Sequence, residues 1–292
     1  MDGFINLLKP PGMTSSDAVV ALRRRLPRST KVGHMGTLDP EAAGVLVLAI
    51  GSAPRLFPYV QQGKRYLAQM TLGVTTDTQD ACGEVVQTRQ VTASLCDIKA
   101  ALTQFTGRIT QRPSPYSAIH IDGKRSYERA RAGEEVQMPT REVDISDITL
   151  VGQSGDDKCF LSIGCSSGTY IRTLVHDIGE SLGCGAHMSF LLRTQVGPFL
   201  LEDALTLEQM LQRAEQGSLE PLSMPFAIPH LPRADVDVSQ QQALNNGNPI
   251  ALSHVTFSEQ GETYAMYMQG VFLGLALRDT ALRVKALLNR LP

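Results

Sequence analysis

The chain has 292 residues, an apolar content of 42% and a formal net charge of −2. This composition predicts a packed core in one or two domains and excludes a chain that is disordered throughout. The longest uninterrupted apolar run, residues 45–50, is too short to span a membrane, so no membrane protein is expected.

The five cysteines are scattered along the chain and odd in number, with no CxxC pair and no histidine at zinc-finger spacing. Neither a disulfide framework nor a structural zinc site is therefore expected. Free thiols and the absence of a secretory signal pattern at the N-terminus predict a cytoplasmic protein.

The charges are unevenly distributed. Residues 1–72 carry nine Lys or Arg against four acids, whereas residues 200–230 carry one Arg against five acids. This polarity suits a protein that presents one basic face to nucleic acid while remaining near neutral overall. The basic residues 23–25 are equally consistent with the solvated face of an ordinary helix.

Hydrophobic periodicity and turn residues predict an α+β chain. Ser15 or Ser16 is expected to cap the first helix, and Ser94 with Asp97 resembles a capping box ahead of a second. A third helix is expected to begin in 166–169 and end near 182. Strands are predicted at 4–8, 45–50, 65–72, 143–150 and 159–165, with a short helix near 54–61.

A proline-rich segment at 220–232 predicts a domain boundary. The short strands expected after it, at 263–269, 271–277 and 282–287, suit a small β-barrel.

The loop 36–44 presents a single carboxylate, Asp39, immediately ahead of the apolar strand. Pro40 removes a backbone donor and biases Asp39 away from helix, while Gly36 and Gly44 allow sharp turns. A lone acid on a rigid support suits catalysis, although a turn aspartate would give the same local pattern.

No Walker loop, GxGxxG, HExxH or GxSxG motif occurs, so the corresponding nucleotide, zinc and serine-hydrolase chemistries lack support. One acid with cations and tyrosines fits chemistry on a nucleobase that has left its stack. Asp77 and Asp80 are interpreted as loop-stabilising rather than metal-binding, because no third carboxylate accompanies them. Arg172 and His176 are expected on one exposed or cleft-facing side of the third helix.

The ordered motifs together resemble the TruB family of tRNA pseudouridine-55 synthases. The resemblance covers about residues 4–230 and is carried by 6–15 (NLLKPPGMTS), 34–40 (HMGTLDP), 64–66 (KRY), 77–80 (DTQD), 116–118 (YSA), 168–174 (GTYIRTL), 185–187 (GAH) and 191–193 (LLR). It implies a pseudouridine-synthase fold, with a mixed, mainly antiparallel sheet flanked by helices. The implied catalytic domain is 1–230, with an RNA-gripping insertion at about 105–151, and residues 231–292 resemble a PUA-like RNA-binding barrel.

The resemblance also implies isomerisation of uridine to pseudouridine in the T arm of tRNA, without cofactor, metal or protein partner. By position, Asp39 is the essential acid, Arg172 its ionic partner, and Tyr66 the residue stacked on the flipped base and a candidate for helping to remove the C5 proton. The implied substrate-binding residues are His34, Tyr170, Leu191, Lys9, Arg55, Lys64 and Arg193.

The sequence departs from the family pattern at Ser114, where proline is common, and at His120, where lysine is common. Two other functions remain open: an RNA chaperone or binding module that uses the same cleft without turnover, and a pseudouridine synthase that depends on a guide RNA. The long stretch 105–151 favours a stand-alone enzyme.

Overall fold

The structure is a computed structural model that describes residues 1–61, 63–117, 119–121 and 123–289. Ala118, in the YSA segment, and the last three residues of the expected barrel lie outside them.

The strands have the following bounds: β1 Gly3–Lys9, β2 Val32–Met35, β3 Ala43–Ile50, β4 Lys64–Leu72, β5 Val74–Thr76, β6 Val85–Thr88, β7 Gly107–Gln111, β8 His120–Ile121, β9 Lys124–Arg125, β10 Arg141–Ser154, β11 Lys158–Cys165, β12 Ala186–Val196, β13 Phe199–Leu200, β14 Leu205–Thr206, β15 Arg233–Val236, β16 Val255–Phe257, β17 Thr263–Met268, β18 Val271–Arg278 and β19 Leu282–Leu287. The α-helices are α1 Ser15–Arg23, α2 Leu95–Gln104, α3 Ser126–Arg131, α4 Ile171–Ser181, α5 Leu207–Glu215 and α6 Gln241–Asn245. The expected short helix near 54–61 is a 3₁₀ helix, Ala53–Tyr59.

Ten strands of the described chain form one mixed sheet in the order β14-β1-β3-β12-β4-β11-β10-β7, with β2 beside β3 and β13 beside β12. Most neighbours are antiparallel, and the β1–β14 and β3–β12 pairs are parallel. The expected mixed, mainly antiparallel sheet with flanking helices is thereby confirmed. Strand β3 is buried along almost its whole length because it lies in the interior of this sheet.

Two helix starts differ from expectation in an instructive way. The cap of α1 is Thr14, not Ser15 or Ser16: its hydroxyl accepts from the Asp17 N–H, and the Asp17 carboxylate accepts from the Thr14 N–H. Ser15 is buried instead, and its hydroxyl bonds the backbone of Leu38. The third helix begins at Ile171 rather than within 166–169, with Tyr170 at its cap position. The Ser94–Asp97 capping box is confirmed.

The helices pack on the main sheet in two apolar clusters. Helices α2 and α4 pack against β4 and β10–β12 in the largest apolar cluster, and α1 and α5 pack against β1 and β3. A third cluster joins the main sheet to the C-terminal strands, with Phe4, Val45 and Val47 beside Phe272 and Leu275.

The C-terminal strands form a five-stranded sheet in the order β16-β15-β17-β18-β19. Within residues 231–289, β16 and β19 do not pair with each other, although one bridge, Ile250↔Leu282, joins the segment before β16 to the start of β19. A closed barrel is therefore not confirmed in the described chain. Some apolar side chains of this sheet pack on the main sheet, and others form a separate core within the C-terminal region. The PUA-like assignment of this region stays a prediction.

The expected insertion at 105–151 is only partly separate from the main sheet. Strands β7 and β10 belong to that sheet and pair from Ile145↔Gly107 to Arg141↔Gln111. The described residues between 112 and 140 leave it and carry β8, β9 and α3. We call this segment the excursion.

No helix among the described residues is long and apolar enough to cross a membrane.

Candidate active site

A cavity of about 280 Å³ lies where the loop after β2 meets the first residues of β4, the start of α4 and the middle of β12. Six of the ten residues expected at the site line it together: Asp39, Lys64, Tyr66, Tyr170, Arg172 and Leu191. They come from four separate segments of the chain, so the fold rather than local sequence brings them together.

Arg172 lies between two carboxylates at this cavity. Its Nη2 atom is 3.7 Å from Asp39 Oδ1, and its Nη1 atom is 3.4 Å from Asp80 Oδ2. The Arg172 side chain is 8% exposed, whereas that of Asp39 is 43% exposed, so the arginine supports a carboxylate that still faces solvent. Arg172 therefore lies on the cleft-facing side of α4, buried rather than on an open surface.

Asp80 is the residue that sequence reasoning missed. Its Oδ1 atom accepts from the Thr78 hydroxyl and the Cys82 N–H, as a loop-stabilising aspartate would. Its Oδ2 atom contacts Nη1 of Arg172 while Asp39 contacts Nη2, so both carboxylates contact the same guanidinium. The sequence signal that could have indicated this role was the presence of DTQD, residues 77–80, among the ordered family motifs. The spacing of Asp77 and Asp80 alone predicts only a polar loop.

Lys9 is fully buried and holds the Asp39 loop from beneath. Its ammonium donates to the carbonyl oxygens of Pro10 at 2.8 Å, Met13 at 2.8 Å and Pro40 at 2.9 Å. Burial lowers the pKa of Lys9 to about 8, partly offset by the negative charges of Glu41 and Asp39. All three bonds go to backbone carbonyls inside the protein, and the expected contact between Lys9 and RNA stays a prediction.

Arg193 has a comparable position on the other side of the loop. It is fully buried on β12, and its guanidinium donates to the carbonyl oxygens of Val45 at 2.7 Å and Gly36 at 3.0 Å. The strands approach so closely here that a Cβ on Gly44 would lie 2.2 Å from the Arg193 carbonyl oxygen. Arg193 thus supports the Asp39 loop, and its expected contact with the substrate stays a prediction.

Tyr66 lies on β4, in register with Arg193 on β12 and Ile163 on β11. It is 7% exposed and lines the cavity. Burial raises the pKa of its phenol, while the nearby Arg193 cation acts in the opposite direction. The side chain is therefore a neutral phenol near pH 7.

Lys64 lines the same cavity. Burial, followed by the positive charge of Arg193, lowers the pKa of Lys64 to about 8, while the Cys165 thiol acts the other way. Within the described chain Lys64 forms no ion pair with a carboxylate. Its ammonium is thus a cation available to an anionic ligand, and its charge is sensitive to pH near neutrality.

His34 and Arg55 do not line the cavity. His34 is half-buried on β2, and burial followed by the charge of Arg193 lowers the pKa of its imidazole. Its Nδ1 atom is buried without a hydrogen-bond partner among the described residues. Arg55 is exposed and donates to the Leu287 carbonyl at 2.9 Å, which joins the 3₁₀ helix to β19. Contacts of either residue with RNA stay predictions.

Within the described ranges, no group of three or more His, Cys, Asp or Glu side chains is arranged to hold a metal ion. The arrangement instead offers one solvent-facing carboxylate, an arginine that orients it, a neutral phenol and an adjacent cation. These groups can bind a planar uncharged ring and act on it or its sugar through Asp39.

Two family models match adjacent parts of the chain, residues 23–171 and 172–225. The model of the TruB family pseudouridylate synthase N-terminal domain matches residues 23–171. The model of the tRNA pseudouridylate synthase B C-terminal domain matches residues 172–225.

Curated relatives named tRNA pseudouridine synthase B are similar over most of the chain. The protein of Heliobacterium modesticaldum is 48% identical over 85% of this chain and 81% of its own length. The protein of Alkaliphilus oremlandii is 42% identical, covering 95% of this chain and 93% of the relative. That of Streptococcus mutans is 40% identical and covers 98% of both chains, so its similarity extends through the C-terminal sheet.

Solved structures show the same fold. A chain of a Cbf5-Nop10-Gar1 complex has a TM-score of 0.73 and 28% identity, over 99% of this chain and 85% of that one. A chain of an H/ACA RNP bound to a substrate RNA containing 2′-deoxyuridine has a TM-score of 0.73 and 26% identity, over 98% of this chain and 85% of that one.

The fold, the cavity with its carboxylate and arginine, and these matches define the class of enzyme as pseudouridine synthase. The chain belongs to the TruB family.

Proposed function

We propose that this chain isomerises uridine to pseudouridine at position 55, in the T loop of tRNA, and that it acts without guide RNA, cofactor or metal. The observation that carries the proposal is the Asp39 carboxylate, which faces solvent in the cavity while Arg172 holds it from the buried side. The names of the curated relatives supply the substrate, tRNA. The cytoplasmic location expected from the sequence stays a prediction.

The reaction breaks the bond between C1′ and N1 of uridine and forms a bond between C1′ and C5. The proton on C5 leaves and N1 gains one, so the product is an isomer and no oxidant or reductant takes part. The uridine has to leave its stack before Asp39 can reach it. Three roles for Asp39 fit this scheme: attack on the sugar, attack on the base, or removal of a sugar proton.

Arg172 orients the Asp39 carboxylate through the Nη2 contact, and its planar fork also reaches Asp80. Tyr66 is suited to stack on the flipped base. Because burial raises the pKa of Tyr66, its neutral phenol favours stacking and hydrogen-bond donation over removal of the C5 proton at neutral pH. Leu191 and Tyr170 supply apolar and aromatic walls to the same cavity.

The domain assignment forms part of the proposal. Residues 1–230 would hold the catalytic site, and the excursion would contact the T arm. Residues 231–292 would add RNA contacts. Arg278 lies 4.4 Å from the Phe257 ring centroid, and Arg233 lies 4.1 Å from that of Tyr267 while its guanidinium also pairs with Asp235 at 2.6 Å. Paired cations and aromatic rings of this kind suit phosphates and exposed bases.

A guide-dependent synthase is the second candidate, because chains from an H/ACA RNP and a Cbf5-Nop10-Gar1 complex share the fold at a TM-score of 0.73. The two candidates differ in whether the protein modifies tRNA in the absence of a guide RNA.

The experiment is to incubate the pure protein with unmodified tRNA transcript, without guide RNA, and to map pseudouridine by base-specific chemical probing. A transcript with cytidine at position 55 is the matched control. We expect one modified uridine, in the T loop, and none in the control. Tight binding without product would overturn the proposal in favour of a chaperone or a guide-dependent enzyme, and product outside the T loop would overturn the position.

A further inference from the structure

The excursion leaves the main sheet after Gln111 and returns at Arg141. These two residues are partners in register and form the last pair of the β7–β10 ladder. Any displacement of the excursion by a bound ligand therefore acts first on this pair. Both side chains reach one residue of the candidate active site, Tyr170.

Gln111 holds the backbone of Tyr170. Its side chain is fully buried, its Nε2 donates to the Tyr170 carbonyl oxygen at 3.2 Å, and its Oε1 accepts from the Tyr170 N–H at 3.1 Å. That carbonyl also accepts the N–H of Leu174 at 3.0 Å, which is the first hydrogen bond of α4. Because no side chain of the cap residue satisfies this end of the helix, the Gln111 amide fixes where α4 begins.

Arg141 holds the ring of Tyr170. Its guanidinium carbon lies 5.3 Å from the ring centroid, and that of Arg172 lies 5.8 Å from the same centroid. The Nε atom of Arg141 is buried and has no hydrogen-bond partner in the described chain. The ring is thus in contact with Arg141, which lies where the excursion rejoins the main sheet, and with Arg172, which orients Asp39.

These contacts connect the excursion to the reacting carboxylate in three steps. Gln111 and Arg141 fix Tyr170, Tyr170 fixes the first turn of α4 and stacks near Arg172, and Arg172 reaches Asp39 at 3.7 Å. A shift of the Arg172 guanidinium of about 1 Å would change that last contact substantially.

We propose that Gln111 and Arg141 are positioning residues, a clamp on Tyr170 through which the excursion sets the orientation of Arg172 for the reaction. The inference rests on the proposed function, since it assigns the clamp to the chemical step on tRNA. Neither residue lines the cavity, so neither touches the reacting atoms. Their replacement should slow the reaction on bound tRNA with little change in binding.

The test uses Gln111→Leu, which replaces the buried amide by an apolar side chain of similar size and removes both hydrogen bonds. Thr110→Val is the matched control, because Thr110 is the exposed neighbour on the same strand. Arg141→Met, which keeps the stem and removes the guanidinium, is the second variant if Gln111→Leu does not fold. The measurements are the single-turnover rate at saturating tRNA, the tRNA Kd, and the thermal midpoint.

We expect the rate with Gln111→Leu to fall by about tenfold, as loss of two neutral hydrogen bonds predicts, while Kd changes by less than about threefold. We expect Arg141→Met to behave alike, and the control to match the wild type. In an Arg172→Lys background, Gln111→Leu should cause little further loss, because both changes act on the same group.

A lower thermal midpoint with an unchanged rate would reduce Gln111 to a structural residue and overturn the clamp. The clamp would also be overturned if the rate losses of Gln111→Leu and Arg172→Lys were fully additive, or if Gln111→Leu changed only the tRNA Kd. These results leave the proposed function standing, because the wild type is active in each. Absence of product with the wild-type protein and tRNA would overturn the proposed function and the clamp together.

Discussion

The Nζ atom of Lys9 lies 2.9 Å from the carbonyl oxygen of Pro40, so a fully buried cation holds the loop that carries Asp39. Burial of an ammonium is unfavourable unless its donors are satisfied, and here all three bonds go to carbonyl oxygens. A buried charge thus anchors the loop, which favours a single orientation of the Asp39 carboxylate.

Replacement of this cation should loosen the loop. For Lys9→Met we expect a loss of about 1–3 kcal/mol in the free energy of unfolding, because three carbonyl groups lose their donor. The rate on bound tRNA should fall with little change in tRNA Kd. Denaturant unfolding and single-turnover kinetics measure these quantities, with Lys31→Met as the exposed control. Unchanged stability with weaker tRNA binding would instead support Lys9 as an RNA contact.

Asp80 should matter for the rate although it does not line the cavity. For Asp80→Asn we expect about a tenfold lower single-turnover rate with tRNA Kd nearly unchanged, because Arg172 loses one of its two ionic partners and is no longer fixed between them. Asp77→Asn is the matched control in the same loop, since Asp77 bonds the Glu84 N–H and not Arg172. Equal effects of the two variants would reduce Asp80 to a loop residue.

The Lys64 ammonium should make tRNA binding depend on pH. Its pKa of about 8 means that the cation predominates below pH 8 and the neutral amine above it. Since RNA phosphates bind the cation, affinity should fall as pH rises from about 7 to 8.5. Lys64→Met should bind more weakly at pH 7 and show a flatter profile in the same titration. A profile in the variant as steep as that of the wild type would exclude Lys64 as the cause.

Much of the fold could be predicted from the sequence wherever short-range physics decides it. The apolar run 45–50 lies inside β3, and the Ser94–Asp97 pair caps α2 as expected. The cap of α1 differed because three consecutive residues, Thr14, Ser15 and Ser16, are all good caps, and packing decides among them. Ser15 does not cap the helix because its hydroxyl bonds the backbone of Leu38, a contact that the local sequence does not reveal.

The surroundings of Lys9 and Arg193 depend on the fold. Lys9 donates to carbonyl groups that follow β1 and to that of Pro40, which precedes β3, and Arg193 donates to carbonyl groups in β3 and in the loop before it. From the sequence alone, a lysine or arginine in a motif is interpreted as a phosphate contact, because the carbonyl groups that it bonds in the folded protein are not known. Closure of the C-terminal sheet could not be decided from the sequence for a related reason, because closure depends on strand register and on what covers the sheet.

The ordered motifs identified Asp39, Tyr66 and Arg172, and the structure brings all three to one cavity. Their catalytic roles stay predictions, and Asp39 tests them most directly. The decisive measurement is pseudouridine formation by Asp39→Asn, with tRNA binding measured on the same protein. We predict no product at any time point, with Kd within about tenfold of the wild type because the carboxylate makes few contacts needed for binding. Pseudouridine formed by this variant at a rate near that of the wild type would contradict the assignment of Asp39 as the essential acid.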